Sequence, residues 1–115
     1  MVIADTATGL ERGGVYRIDL GTPRGHEQRG RHLGIVMSPG FMNWPVATIL
    51  PTSTSAQPAI FRPRLTFAGQ ETVVLIDQIR SIDTDDILGP PISHLTRDQM
   101  EEVENCLTRY LGIIG

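Results

Sequence analysis

The chain has 115 residues, 40% of them hydrophobic, and all ten of its basic residues are arginine. A single domain of this size buries about two-thirds of the surface that its unfolded chain exposes, so it can hold a core without disulfides or metal. The single cysteine, Cys106, excludes an internal disulfide, and no apolar run approaches the ~18 residues that a membrane span needs. We therefore expect a cytoplasmic protein that does not bind a membrane.

The charge is unevenly distributed along the chain, although the net charge is only −3. Residues 12–70 carry seven arginines against two acidic residues, whereas residues 71–115 carry nine acidic residues against three arginines. A domain with a basic half can bind an anion such as nucleic acid even when its overall charge is negative. Bias in the coding sequence also produces arginine without lysine, so composition alone does not decide the function.

The N-terminal half begins with residues 1–11, which show no periodicity and are predicted to be a flexible lead-in to one domain over residues 12–115. Apolar and polar residues alternate over 16–20, which predicts a half-buried strand. Residues 21–31 form a polar, arginine-rich segment that is too long for a tight hairpin turn, and loops of this length are often functional.

Further strands are predicted in the middle of the chain by three apolar runs, over residues 33–37, 45–50 and 72–76. Residues 51–58 form a hydroxyl-rich loop after the second of these runs. The segment 60–67 predicts an edge strand, because Pro63 has no N–H to donate to a neighbouring strand.

The C-terminal segment predicts an amphipathic helix. Thr96 and Gln99 have the spacing of a capping box, and Leu95 and Met100 have that of a hydrophobic staple. The apolar stripe of this helix consists of Met100, Val103, Leu107 and Leu111. About five short strands followed by one helix predict an α+β domain built on a curled antiparallel sheet.

Familiar catalytic motifs are absent from the sequence: it has no phosphate-binding glycine loop, no paired-cysteine metal spacing and no nucleophile elbow. The three histidines are spaced too irregularly to predict a metal site. Three features remain: the basic loop with its histidine, the hydroxyl-rich loop, and a carboxylate, Asp77, after a buried strand. Each of them is also common in ordinary surface loops and turns.

The order and spacing of several motifs resemble the MazF/PemK/Kid family of toxins. The resemblance extends from about Arg12 to Leu111, nearly the whole chain. Its most specific parts are RGGVYRIDL at 12–20 and DQIRSID at 77–83, and it also includes GHEQ at 25–28, the strand at 33–38 and the PTS turn at 51–53.

This resemblance implies a small homodimer with an SH3-like plasmid-toxin barrel fold. It further implies a sequence-specific endoribonuclease that cleaves single-stranded mRNA without metal or cofactor and that a cognate antitoxin neutralises. In this reaction the 2′-hydroxyl of the substrate attacks the neighbouring phosphate. The protein must therefore supply a base, an acid for the departing 5′-oxygen, and positive charge for the phosphorane.

The main catalytic position departs from the family pattern. The family has an Arg-Pro pair where this sequence has His32 and Leu33, and the arginine lies one residue earlier, at Arg31. Neighbouring strand residues point to opposite faces, so Arg31 can replace the family arginine only if the strand begins after it. We favour His32 as the proton-transfer group, because imidazole titrates near neutral pH, with Arg31 and Arg29 stabilising the phosphate. The alternative is an ordinary strand-end histidine in a protein whose activity is lost or changed.

The remaining catalytic candidates also follow from the resemblance. Ser53 aligns with the catalytic threonine of the family, and Thr54 lies next to it. His26 matches a histidine that some members use, and Asp77 matches the carboxylate that the Kid branch uses as a base. That branch has an arginine two residues before this carboxylate, where the present chain has Leu75.

Other polar residues of the loops are candidates for binding RNA rather than for chemistry. Contacts to phosphates position RNA and make its affinity depend on salt. Trp44 and Phe61 lie nearest the loops, and we interpret them as core or dimer contacts rather than platforms for bases. The RNA-binding candidates are Arg24, Gln28, Arg29, Arg62, Arg64 and Gln78.

Two other functions fit the same fold. One is a toxin that binds DNA gyrase and cleaves nothing, and the other is a catalytically altered relative that only binds RNA. The GHEQ and DQIRSID motifs favour the ribonuclease branch, whereas the missing Arg-Pro pair favours the altered relative.

Overall fold

Seven strands and one helix make up the computed structural model, which describes residues 9–21, 30–40 and 44–113. Two single-turn 3-10 helices, Ile76–Gln78 and Thr84–Asp86, flank the sixth strand. In chain order the main elements are β1 (Gly14–Asp19), β2 (Arg31–Val36), β3 (Val46–Ser53), β4 (Arg64–Phe67), β5 (Gln70–Val74), β6 (Arg80–Asp83), β7 (Ile87–His94) and α1 (Arg97–Leu111).

The strands form one antiparallel sheet in the order β4-β5-β3-β2-β1-β7, and β6 also pairs with β3. β3 pairs with β6 through its first half and with β5 through its last two residues, so the sheet curls around β3. The predicted α+β fold, a curled antiparallel sheet with a C-terminal helix, is thereby confirmed as a half-barrel.

Two strands, β6 and β7, are missing from the sequence prediction. β7 contains Gly89, Pro90 and Pro91, which break any apolar alternation. The strand still forms because its ladder with β1 shifts: Val15 pairs with Ser93 but Arg17 pairs with Leu88, which leaves residues 89–92 as an irregularity opposite a single residue of β1. An edge strand tolerates such an irregularity and its prolines, because only one side of it is paired.

The predicted edge strand at 60–67 is confirmed at the edge but is shorter than expected. β4 begins at Arg64, directly after Pro63. Residues 59–62 instead form a tight turn, in which Ala59 and Arg62 exchange backbone hydrogen bonds of 3.2 and 3.0 Å. The predicted strand at 72–76 also shifts, to Gln70–Val74, because the chain turns into a 3-10 helix at Ile76.

Alternation along β1 divides the core into two parts. Val15 faces the side of the sheet that α1 covers, where it packs with Ile35 and Val103. Tyr16 and Ile18 face the other side, which closes on Ile82 of β6. Apolar residues on both sides of β1 account for its two buried faces. Its charged residues, Arg17 and Asp19, alternate with Ile18 at the end of the strand and point to the side opposite Ile18.

Helix α1 has the predicted capping box. Thr96 Oγ1 accepts a hydrogen bond of 3.1 Å from the N–H of Gln99, and Gln99 Oε1 accepts one of 2.9 Å from the N–H of Thr96. Val103 and Cys106 are the buried residues of the helix, whereas Leu111 is 49% exposed. The predicted stripe is therefore wrong at its last residue, because the final turn before Gly112 lies beyond the core. No helix in the described ranges is long and apolar enough to cross a bilayer.

The chain enters the domain through residues that contact both the sheet and the helix. Leu10 packs against the core on the side of Tyr16, and the N–H of Glu11 donates to the Tyr16 hydroxyl at 2.9 Å. Arg12 donates to the carbonyl of Met37 at 2.8 Å and forms an ion pair with Glu104 of α1. Residues 1–8 of the predicted lead-in lie outside the described part of the chain.

Candidate functional site

The candidate site lies where β1 ends and β2 begins. Backbone hydrogen bonds that involve two glycines link these two strand ends. The N–H of Leu20 donates to the carbonyl of Gly30 at 2.8 Å, and the N–H of Gly30 donates to the carbonyl of Gly21 at 3.0 Å. Gly21 and Gly30 have φ values of 72° and 70°, in the left-handed region that glycine tolerates best. We call this closed pair of ends the neck; it holds β2 in register from its first residue.

Arg31 therefore already belongs to β2, and its backbone lies opposite that of Asp19 in the β1–β2 ladder. Next to it, His32 pairs with Ile18, so the two candidates point to opposite faces of the sheet. Arg31 lies on the same face of the sheet as Leu33, which packs against the part of the core that includes residues of α1. His32 lies on the other face, with Ile18. The condition under which Arg31 could replace the family arginine is not met, and His32 alone has that position.

A pocket of about 300 Å³ opens at this strand end. Its lining is contributed by β1, β2 and β7, through Arg17, Arg31, His32, Leu33 and Leu88. Among the described residues, neither Arg17 nor Arg31 has an acidic partner in an ion pair. On the face of Arg17 and Arg31, the pocket thus combines two guanidinium groups, without an acidic partner among the described residues, with two apolar side chains, and this suits an anion with an apolar part.

Arg17 is the functional candidate that the sequence reasoning missed. Its position in the alternation of β1 already indicated a polar side chain pointing away from the core. The sequence contained no signal that β7 would bring Leu88 against it, because β7 itself was not predicted.

Ser53 and Thr54 end β3 in different environments. The β2–β3 pairing ends at Gly34 and Pro51, and beyond it Thr52 Oγ1 donates to the Leu33 carbonyl at 2.7 Å. Ser53 is buried, and its Oγ accepts hydrogen bonds from the N–H groups of Ala56 and Ser55, at 3.0 and 3.2 Å. Ser53 thus holds the turn that presents Thr54, which is exposed.

Asp77 does not line this pocket but forms a bidentate ion pair with Arg62. Arg62 Nε donates to Asp77 Oδ1 at 2.9 Å, and Nη2 donates to Oδ2 at 2.8 Å. These hydrogen bonds lower the pKa of Asp77 and raise the pKa of Arg62. A carboxylate with a lowered pKa, and with both oxygens occupied, is a poor proton acceptor near neutral pH.

The turn at 59–62 is fixed to α1 around the same ion pair. The Tyr110 hydroxyl donates to the Asp77 carbonyl at 3.4 Å, and the Tyr110 ring meets Phe61 edge-on with centroids 5.1 Å apart. Cys106 Sγ donates to the Ile60 carbonyl at 3.5 Å, and burial raises the pKa of its thiol. The geometry thus favours a positioning role for Arg62 and Asp77.

The other predicted residues are dispersed or lie outside the described residues. Arg64 is exposed at the start of β4, and in the strand order β5 and β3 separate it from β2. Gln78 ends the 3-10 helix that contains Asp77, and Trp44 is 57% exposed before β3. Outside the described residues are Arg24, His26, Gln28 and Arg29. Within the described ranges, no group of three or more His, Cys, Asp or Glu side chains is arranged to hold a metal ion.

Comparisons with known proteins show the family to which this chain is similar. Residues 11–111 match the family model of the PemK-like, MazF-like toxins of type II toxin–antitoxin systems. A protein of Mycobacterium tuberculosis that is named as a toxin is 55% identical over 103 residues, which is 89% of this chain and 97% of that protein.

Solved structures show the same fold. The crystal structure of MazF from Deinococcus radiodurans is 27% identical with a TM-score of 0.79, over 90% of this chain and 96% of that one. An endoribonuclease from a mycobacterial species, solved in complex with its cognate antitoxin, is 20% identical with a TM-score of 0.75, over 92% and 98% of the two chains, and supports the fold alone. The chain belongs to the PemK-like, MazF-like toxins of type II toxin–antitoxin systems.

Proposed function

We propose that the chain is a metal-independent endoribonuclease that cleaves single-stranded RNA. The observation that carries this proposal is the strand end at which His32 borders a pocket lined by Arg17 and Arg31. In the reaction, the bond between the 2′-oxygen and phosphorus forms, and the bond between phosphorus and the 5′-oxygen breaks. The 2′-hydroxyl proton leaves to a base, and the 5′-oxygen receives a proton from an acid.

His32 is the proton-transfer group in this proposal. Neutral imidazole accepts the 2′-hydroxyl proton and imidazolium donates to the 5′-oxygen, whereas a guanidinium essentially never gives up its proton. His26, which lies outside the described residues, is the candidate for the second proton transfer. Arg31 adds positive charge at the same strand end, where negative charge develops on the phosphorane.

The hydroxyl groups at the end of β3 stabilise a non-bridging phosphate oxygen. Thr54 is exposed and its hydroxyl can donate to substrate, while Ser53 is already engaged with the N–H groups of Ser55 and Ala56. We therefore assign the direct hydrogen bond to Thr54 and the positioning of the turn to Ser53. Asp77 keeps its ion pair with Arg62 during the reaction.

A long RNA of mixed sequence, incubated with the purified chain and a chelator, tests the activity. We expect cuts at a short recurring motif, and a rate reduced about 10²- to 10⁴-fold by His32→Ala, as for loss of a general acid or base. His94→Ala is the matched control, because His94 pairs with Glu11 at the other end of β1. Intact RNA under all conditions would refute the nuclease proposal for those substrates.

A cognate antitoxin is the proposed protein partner, and the chain acts as a homodimer when it is not bound to the antitoxin. Support comes from the family, whose toxins belong to type II toxin–antitoxin systems. The exposed arginines of the pocket favour an acidic segment as the inhibitory part of that antitoxin.

A second candidate is a relative that binds RNA without cleaving it. His32 at the position of the family arginine favours this function, because the group that carries catalysis elsewhere in the family has changed. RNA that binds the chain with unchanged length after long incubation would favour the second candidate over the nuclease.

A further inference from the structure

Arg17 and Arg31 lie diagonally across the β1–β2 pair. Arg17 is directly opposite Leu33, two residues along β2 from Arg31. Diagonal neighbours in an antiparallel pair are about 7–8 Å apart at the backbone, within reach of long side chains. Two guanidinium groups at this separation repel each other, and one phosphate group between them replaces that repulsion with charge-assisted hydrogen bonds.

Asp19, which is opposite Arg31 on the same face, does not neutralise this pair. Its Oδ1 accepts a hydrogen bond of 2.9 Å from the N–H of Gly21, and within the described residues it forms no ion pair with either arginine. One carboxylate against two guanidinium groups leaves the rim of the pocket positive, where Arg17 and Arg31 are exposed.

The floor of the pocket is apolar. Arg17 is paired with Leu33 on one side and with Leu88 on the other, so a leucine flanks it in each neighbouring strand. Both leucines are partly buried, and β7 departs from its register directly after Leu88. A pocket of about 300 Å³ is at the small end of ligand sites and fits one nucleotide unit rather than several.

We propose that this pocket is a subsite for one nucleotide of single-stranded RNA that flanks the scissile phosphate. Arg17 and Arg31 hold its phosphate, and Leu33 and Leu88 contact its sugar or base. This inference rests on the proposed function, and it moves Arg31 from the scissile phosphate to the neighbouring one. The reason is the alternation along β2, which puts His32 on the opposite face, so that the RNA crosses the strand end between the two groups.

Binding of an RNA oligonucleotide with 2′-O-methyl groups throughout tests the subsite without any cleavage. We expect Arg17→Gln to raise the Kd about 5- to 30-fold and to lower the slope of log affinity against log salt concentration by about 0.7, the contribution of one phosphate contact in a single strand. Arg17→Lys keeps the charge without the planar fork, so it should restore most of the slope but only part of the affinity. Arg97→Gln, at an exposed position at the start of α1, is the control and should change neither.

The outcomes separate the subsite from the nuclease. If the chain cleaves RNA but Arg17→Gln leaves both Kd and salt slope unchanged, the subsite is refuted and the nuclease stands. If no RNA is cleaved while binding still depends on Arg17, the nuclease is refuted and the subsite stands. Loss of affinity for a glutamate-rich peptide with no change for RNA would overturn the subsite in favour of a protein ligand. If Arg17→Gln lowers the Tm, the Kd and the salt slope of Arg17→Lys decide whether the subsite is supported or refuted.

Discussion

At the scale of single residues, the site is determined by alternation along β2. Arg31 and His32 are neighbours in sequence, yet one belongs with Arg17 and the other with Ile18. In the proposed function, the exchange of the family arginine for histidine replaces a group that keeps its proton with one that can act as a proton-transfer group.

His32→Arg should separate these two chemistries. The wild type should show a limb in its pH–rate profile, because a proton-transfer group must change its charge during the reaction. His32→Arg should retain part of the activity through positive charge but lose that limb, because a guanidinium keeps its proton. Single-turnover cleavage rates over a series of pH values, with His94→Ala as the control, provide the measurement. A limb that persists in the arginine variant would exclude His32 as the titrating group.

Asp77→Asn should affect stability more than chemistry. Arg62 holds the pKa of Asp77 below its usual range, so the ion pair stabilises the fold above the pKa of an unfolded aspartate, and this contribution is lost as pH falls through the folded pKa. We expect a loss of about 1 kcal/mol in the free energy of unfolding at pH 6, given the partial exposure of the pair. The difference from wild type should shrink below about pH 4.

Urea unfolding at pH 6 and pH 3 measures this difference, and Arg62→Gln should reproduce it without adding to it. Cleavage by Asp77→Asn should fall less than tenfold, whereas loss of a general base costs about 10²- to 10⁴-fold. A fall of the larger size with unchanged stability would restore Asp77 as the base.

At the scale of elements, the helix and the first five strands follow from the sequence because their signals are local. A capping box, apolar alternation and Pro63 each act within a few residues. β6 and β7 could not be predicted, since β7 contains Gly-Pro-Pro and is stabilised by its pairing with β1. Arg17 was missed for the same reason: its pocket requires Leu88, which only the three-dimensional pairing brings to it.

Gly34 couples β2 to β1 through a close approach. A Cβ at this position would lie 2.5 Å from Ile18 Cδ1, so Gly34→Ala should cost about 1–3 kcal/mol of stability through overpacking. Ile18→Val removes that methyl group, and the double variant should be destabilised by less than the sum of the two single changes. Urea unfolding of the four proteins gives the coupling, and additive losses would show that another contact is responsible.

At the scale of the whole molecule, the charge asymmetry of the sequence becomes a spatial one. Arg17 and Arg31 lie towards the end of the β1–β2 pair that the neck closes, whereas Glu101 and Glu102 are exposed on α1. The absence of lysine does not by itself indicate a function. What bears on the function is that these two arginines lie close together on one face of the sheet.

The affinity for RNA should therefore fall as the salt concentration rises, with a slope that reports the number of phosphate contacts. Two phosphate contacts give a slope of about −1.4, which corresponds to a loss of about sevenfold in affinity between 50 and 200 mM salt. Glu101→Gln on α1 should leave this slope unchanged. Titrations at four or more salt concentrations measure it, and a slope near zero would exclude phosphate contacts as the source of affinity.

The neck formed by Gly21 and Gly30 has a consequence for changes in the length of the segment that it closes. Its two hydrogen bonds close the ends of segment 22–29, so β1 and β2 hold their register without help from that segment. Lengthening a closed loop costs little, about 0.6 kcal/mol for each doubling. Changes in the length of that segment should therefore leave the register of β1 and β2, and the place of His32 on β2, unchanged.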